Sequence, residues 1–165
     1  MRRSSFHNLL LLGVLFWCLL IILPPICMMA GSEFTPLANT LYKSFSPICH
    51  QYDSRSLHLA GYKLAVCSRC TAIYLGFLVG VIVSRFLSRR RIDRTLLWWI
   101  IAVVPMLVDV VLDIIAIHAS NVPTRLLTGG VFGIVAALVL TPYFIQACTE
   151  LIHHKSQGVA YEPKA

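Results

Sequence analysis

Four long apolar stretches constrain this chain more than any other feature. They cover residues 9–29, 71–87, 96–117 and 126–147, and each meets the requirement of about 20 residues for crossing a hydrocarbon core about 30 Å thick. In lipid every backbone amide must be satisfied internally, so these stretches are expected as helices. Composition agrees: 58% of residues are apolar, only 13% are charged, and the mean hydropathy is +0.77. A soluble domain carries roughly 25% charged residues. The chain is therefore not a soluble globule, a disordered tail or a nucleic-acid-binding arm. The expected fold is an all-α integral membrane protein, with one four-helix domain over residues 1–152 and a cytoplasmic tail over 153–165.

Arg2 and Arg3 precede the first stretch, as they would in a signal peptide. That stretch stays apolar too long and has no clear small-x-small cleavage site, so it reads as a retained anchor. Positive charge then sets the orientation. Arg85, Arg89, Arg90, Arg91 and Arg94 crowd the link between the second and third stretches; with Arg2, Arg3, Lys155 and Lys164, nine of the 14 cations fall on one side. Lys43, Arg55, Lys63, Arg69 and Arg125 fall on the other, spread over longer segments. The positive-inside rule puts both termini and the arginine link in the cytoplasm of a multi-pass protein of the cell membrane. Trp98 and Trp99 fit an anchor at the inner interface.

Residues 30–70 then form an outer loop. In it Phe34, Leu37, Leu41 and Phe45 recur at near-helical spacing, which predicts a short interfacial helix ended by Ser46-Pro47. Leu57 and Leu59, then Ala60-Gly61, then Tyr62, Leu64 and Val66 alternate around a turn, as a small hairpin would. Ala72, Gly76, Gly80 and Ser84 repeat every four residues in the second stretch, as do Gly129, Gly133 and Ala137 in the fourth. Small residues on one face let helix backbones approach closely, so these stripes predict packing rather than a ligand-lined gap.

The residues able to do chemistry converge on the outer side. Cys49-His50-Gln51 lies in the loop, and Cys67-Ser68-Arg69-Cys70 stands where the second helix begins. Asp109 and Asp113 share a face of the third stretch, about 21 and 27 Å above Thr95 at 1.5 Å per residue. Asn121, Arg125 and Thr128 follow on the same side. A carboxylate inside a spanning helix is costly and is by default a functional-site candidate. The bland alternative leaves Asp113 exposed at the interface and Asp109 paired with Arg125 for structure alone.

The cysteines leave several chemistries open. Cys67 and Cys70 have the spacing to grip one metal ion, with Cys49, His50 or Asp109 completing the coordination of Zn²⁺. The outer side is also often oxidising. There Cys67 and Cys70, at a helix N-terminus beside Arg69, would be reactive thiols, and Cys27 could pair with Cys49. That arrangement suits a quinone-coupled thiol–disulfide enzyme. Inert disulfides pinning the loop are the third option. Cys18 and Cys148 read as packing residues. His58 and His118 read as solvated loop histidines, and His153-His154 as an interfacial pair.

Ile48-Cys49-His50-Gln51, Arg55-Ser56 and Cys67-Ser68-Arg69-Cys70-Thr71-Ala72-Ile73-Tyr74-Leu75-Gly76 together resemble a family of small prokaryotic membrane proteins, catalogued as domain of unknown function 2085. The likeness continues through Pro105, Asp109, Ser120-Asn121, Arg125, Thr128-Gly129 and Gly133. Two positions depart from it: Ala72 stands where the family usually has Gly, and Val110 where Gly is expected after the aspartate. The family has no established activity. The resemblance implies that Cys49, His50, Cys67, Cys70, Asp109, Asn121 and Arg125 act as one site.

These observations together lead to an expectation of a zinc site at the outer mouth of a four-helix bundle. Asp109 would serve as ligand or general base, with His50 and Asn121 beside it. Arg69, Arg125 and Thr128 would hold an anionic group such as a lipid headgroup phosphate. Three other readings stay open: the thiol–disulfide enzyme, a small transporter, and a metal site that serves only folding. Against the transporter, no acidic residue lies in the inner half of any stretch except Glu150 at its edge.

Overall fold

A computed structural model describes residues 2–87, 95–115 and 121–158. Arg89, Arg90, Arg91 and Arg94 of the arginine link, His118, Ser120 and Lys164 lie outside the described residues, as do the side chains of Arg2, Arg3 and Lys155.

The elements follow the hydropathy closely. Helix α1 (Arg2–Ala30) is followed by a short 3-10 turn and helix α2 (Thr35–Phe45), then strands β1 (Ser56–Leu59) and β2 (Tyr62–Cys67). Helices α3 (Ser68–Ser84), α4 (Thr95–Ile114) and α5 (Val122–Gly158) complete the chain. Among the described residues three helical segments are long and apolar enough to cross a membrane: Ser4–Ala30, Leu97–Ile114 and Val122–Ile152. The second stretch, expected over 17 residues at 71–87, keeps that length but is displaced three residues toward the N-terminus, and it falls among the shorter apolar helices. Its helix α3 measures about 26 Å at 1.5 Å per residue, against about 30 Å of hydrocarbon. It starts at Ser68 because β2 runs straight into it, and the extended Cys67 (φ −66°, ψ 164°) stands at its N-terminus.

The segment between α1 and α3 carries both predicted elements. Pro36 sits in the first turn of α2, where a missing N–H loses no bond, and Ser46-Pro47 lies just past its end. In the hairpin, Leu59 faces Tyr62, and the two turn residues Ala60 (φ 50°) and Gly61 (φ 87°) are both left-handed. That is the pattern of a type I′ turn, whose twist matches that of the flanking strands. The strand pair is not regular throughout, because a bulge separates Ser56 from His58. In β2, Leu64, Ala65 and Val66 are all buried, so this strand is covered on both faces.

Close backbone contact joins α3 to α5. A methyl group at Gly129 would stand 2.7 Å from the Arg69 carbonyl oxygen, and one at Gly80 would stand 2.6 Å from the Ala137 methyl. Gly133 lies against the Ile73 and Phe77 backbone, and Gly76 against Gly130. Pairs 69/129, 73/133 and 80/137 rise together, so α3 and α5 run parallel, as the packing reading of the stripes expects. Helix α1 runs antiparallel to α3: Arg85 donates to Asn8 at 2.8 Å at one end, and the Cys18 thiol donates to the Tyr74 carbonyl at 3.7 Å further along. Helix α4 rests on α5 through Trp99, Ala102, Phe132, Val135 and Val139. Most of its surface is open, with little of Leu97–Ile114 buried by the rest of the protein. In water such a surface would drive aggregation; in a bilayer lipid covers it.

Candidate metal centre

A small apolar core holds α2 and the hairpin to α1 and α3. It comprises Ile21 of α1, Phe45 of α2, Cys49, and Leu64, Ala65 and Val66 of β2, with Cys67, Cys70 and Tyr74 packed against it. Trp17 closes one side, its ring edge-on to Phe45 at 5.2 Å and to Tyr74 at 6.0 Å.

Three cysteines meet here. After α2 the backbone tightens, with the amides of Ile48 and Cys49 both donating to the Phe45 carbonyl at 3.1 Å. This brings Cys49 against the junction of β2 and α3. Cys67 caps α3 and Cys70 lies in its first turn, so Cys49, Cys67 and Cys70 have their sulfurs within 4.8 Å of one another. Sulfurs around a tetrahedral Zn²⁺, with Zn–S about 2.3 Å, stand about 3.8 Å apart. The gathered thiols therefore have the dimensions of a metal site after a small contraction.

The surroundings favour negative charge on the Cys49 sulfur. The Cys67 amide donates to the Cys49 sulfur at 3.2 Å. Hydrogen bonds from the Cys67 and Cys70 thiols hold the Cys49 thiol well below the ordinary cysteine range, outweighing burial, which acts the other way. The N-terminus of α3, with its unsatisfied amides and positive dipole end, favours charge at the same place.

A hydrogen-bonded clasp fixes the Cys49 turn. Gln51 is left-handed (φ 52°), and its side-chain amide donates to the Tyr42 carbonyl at 2.8 Å. Lys63 donates to the Gln51 carbonyl at 3.0 Å, and the Tyr42 hydroxyl donates to the Lys63 carbonyl at 2.5 Å. Helix α2, the turn and β2 are thereby tied together. Partial burial pushes the Tyr42 hydroxyl above its usual range, so it remains a donor.

Of the remaining expected site residues, Arg69, Asp109 and Arg125 form ion pairs apart from the sulfurs, while Asn121, Thr128 and His50 make local contacts. The Arg69 guanidinium, set between Cys67 and Cys70 in sequence, pairs with Asp109. Asp113 pairs with Arg125 at 3.1 Å and with Arg55 at 3.2 Å. Thus Asp109 meets Arg69 from the preceding helix, and the carboxylate facing Arg125 is Asp113, whose side chain is only 10% exposed. Asn121 is exposed, and its carbonyl accepts from the Thr124 hydroxyl at 2.8 Å and the Arg125 amide at 3.2 Å. Thr128 donates to the Thr124 carbonyl at 2.9 Å. His50 is exposed and stacks on Tyr52 at 5.7 Å. Neither His50 nor Asp109 joins the three sulfurs. Cys27 is a free buried thiol outside that group.

Sequence reasoning missed the clasp and the two-arginine grip on Asp113. Gln51 stood next to the Cys-His pair and was the one signal for the clasp. Nothing local marks Tyr42 or Lys63. The Ser68 hydroxyl, fully buried between Cys67 and Arg69, has no hydrogen-bond partner among the described residues.

Apolar helices of spanning length, with a cluster of thiols and ion pairs at one end, define a multi-helix membrane protein. The chain belongs to the family of predicted membrane proteins described as domain of unknown function 2085, whose pattern matches residues 49–155. An uncharacterised protein of Methanocaldococcus jannaschii is 34% identical over 148 residues, covering 87% of this chain and 95% of the relative. An uncharacterised protein of Methanothermobacter thermautotrophicus is 30% identical over 95 residues, covering 58% and 86%. No solved structure matches.

Proposed function

We propose that Cys49, Cys67 and Cys70 bind one zinc ion at the extracytoplasmic face of a four-span membrane protein, and that the site acts on an anionic group such as a lipid headgroup. The observation that carries this reading is the meeting of three sulfurs within 4.8 Å, drawn from a loop, a strand end and a helix start. Three thiolates leave one of the four zinc positions for another ligand, and the borderline-soft ion suits sulfur donors. Asp109, with His50 and Asn121, belongs to the same outer mouth as ligand or proton-handling group. Arg69, Arg125 and Thr128 serve the anionic group, a guanidinium giving paired hydrogen bonds to phosphate. Because Arg69 and Arg125 already hold Asp109 and Asp113, an arriving anion competes with those carboxylates. Helix α3 counts as the second of the four spans, and both termini face the cytoplasm on the side of the nine cations.

The test is metal content by mass spectrometry on detergent-purified protein made without chelator, beside a Cys67→Ser/Cys70→Ser variant. About one zinc per chain, lost in the variant, supports the reading. Absence of metal from both preparations overturns it. A second reading is favoured by the same proximity. Two of the three thiols are close enough to join as a disulfide, releasing two protons and passing two electrons to a membrane quinone. Metal-free protein carrying a Cys49 disulfide that quinone regenerates after reduction would select that reading.

A further inference from the structure

The contacts between α1 and α3 set the depth of the thiol cluster. Arg85 pairs with Asn8 just past the end of α3, and this level, where polar residues first flank both helices, is assigned as the inner edge of the hydrocarbon. Counting up α3 from that level, Ser68 stands about 26 Å above it, short of a core about 30 Å thick. The Cys18–Tyr74 contact gives the same register, since Ser68 then lies level with residue 24 of α1, which continues outward to Ala30. The elements of the outer loop reach deeper still. Phe45 packs on Trp17, and Leu64, Ala65 and Val66 share a core with Ile21. Trp17 and Ile21 lie only about 14 and 20 Å above Asn8.

Three further observations agree with immersion. Strand β2 is covered on both faces, the condition for non-helical backbone at membrane depth. The outer elements expose Phe34, Leu37, Ile48, Tyr52, Leu59 and Tyr62, each at least 40% accessible, which is a poor surface for water and a good one for an interface. Between α1, the hairpin and α3 lies a partly open cavity of about 120 Å³, lined by apolar side chains including Ile21, Leu57, Leu64, Tyr74 and Leu75. Ile21, Leu64 and Tyr74 also pack in the cluster that contains the cysteines, so cavity and thiol site share a wall.

We propose that α2 and the hairpin are seated in the outer leaflet, and that the sunken thiol site serves a lipid-borne ligand whose hydrocarbon chain lies in the cavity between α1 and α3. An apolar cavity of this size stays dry and takes a short run of hydrocarbon. At this depth the surrounding medium is itself acyl chain, so an aqueous solute would have to leave water to reach the cavity. The proposal rests on the zinc reading only for what the sulfurs hold.

The test places one tryptophan at a time at Leu37, Tyr62 or Leu57 in a Trp17→Phe/Trp98→Phe/Trp99→Phe background. Each protein is reconstituted into phosphatidylcholine vesicles with brominated acyl chains, and iodide is added to the buffer in parallel. Leu37→Trp and Tyr62→Trp sit at exposed positions that accept a larger ring, so they report even where Leu57→Trp fails to fold. Bromines are expected to remove more than about half of the emission at all three positions with little effect of iodide, as for groups about 5–10 Å below the headgroup boundary. Strong iodide quenching at Leu37→Trp and Tyr62→Trp overturns the seating, and a folded Leu57→Trp insensitive to bromine overturns chain entry. Zinc content measured on the same samples separates the two readings: its absence fails the metal assignment and leaves the depth result standing.

Discussion

Gln51 shows how one side chain can govern a site it does not enter. Its left-handed backbone and its amide, given to Tyr42, set the direction in which Cys49 leaves the turn. Gln51→Ala frees that turn while all three sulfurs remain. On the zinc reading proposed above, affinity for the metal is expected to fall about 10–100-fold, the range seen when groups that orient metal ligands are removed, as read by competition with a chromophoric chelator. The Asp113–Arg125 pair poses a different residue-scale question. Both side chains are at least 90% buried, so Asp113→Leu leaves Arg125 with a weakened set of partners in a poorly solvating place. Breaking a buried pair from one side costs about 3–5 kcal/mol, and replacing both partners with apolar residues returns much of it. Thermal unfolding in detergent should therefore show Asp113→Leu well below Asp113→Leu/Arg125→Met.

At the scale of elements, the parallel α3–α5 contact fixes where the first turn of α3 sits, and with it Cys67 and Cys70. The glycines permit this contact because lipid supplies no hydrophobic drive between helices, leaving close van der Waals packing to hold them. A Gly133→Ala methyl meets the Ile73 and Phe77 backbone, which cannot swing aside as a side chain would. A loss of about 1–3 kcal/mol is expected from overpacking. The check is a lower unfolding temperature, whereas Gly130→Ala, with open space around its Cβ, should stay near wild type. Hairpin and α2 were legible in the sequence because turn chemistry and helical spacing are local signals: Ala60-Gly61 turns the chain, and Ser46-Pro47 follows α2 directly. The start of α3 was read less well, three residues too late although the length of 17 residues was right. Hydropathy marks where apolar residues occur, whereas the helix start depends on β2 delivering Cys67 in an extended conformation.

The whole molecule has an outward surface made for lipid, with large apolar side chains exposed along α1, α4 and α5. Its charge asymmetry makes an overall prediction: a reporter active only in the cytoplasm, fused after Ala165, should be active, and moving it to the outer loop should silence it. An inactive C-terminal fusion with an active loop fusion would reverse the orientation. By itself the sequence determined that this chain lives in a membrane, where most of its helices lie, and which residue types carry chemistry, because hydropathy, small-residue stripes and Cys-x-x-Cys spacing are written locally. Only the tertiary structure decided which groups meet. It separated the three sulfurs from Asp109 and His50, matched Arg69 to Asp109 and Arg125 to Asp113, and set Cys49 beside Cys67 through the Tyr42–Gln51–Lys63 clasp. Those meetings depend on the rotation and depth of helices against one another, which are set by backbone contact at a few glycines and by the register of α1 on α3.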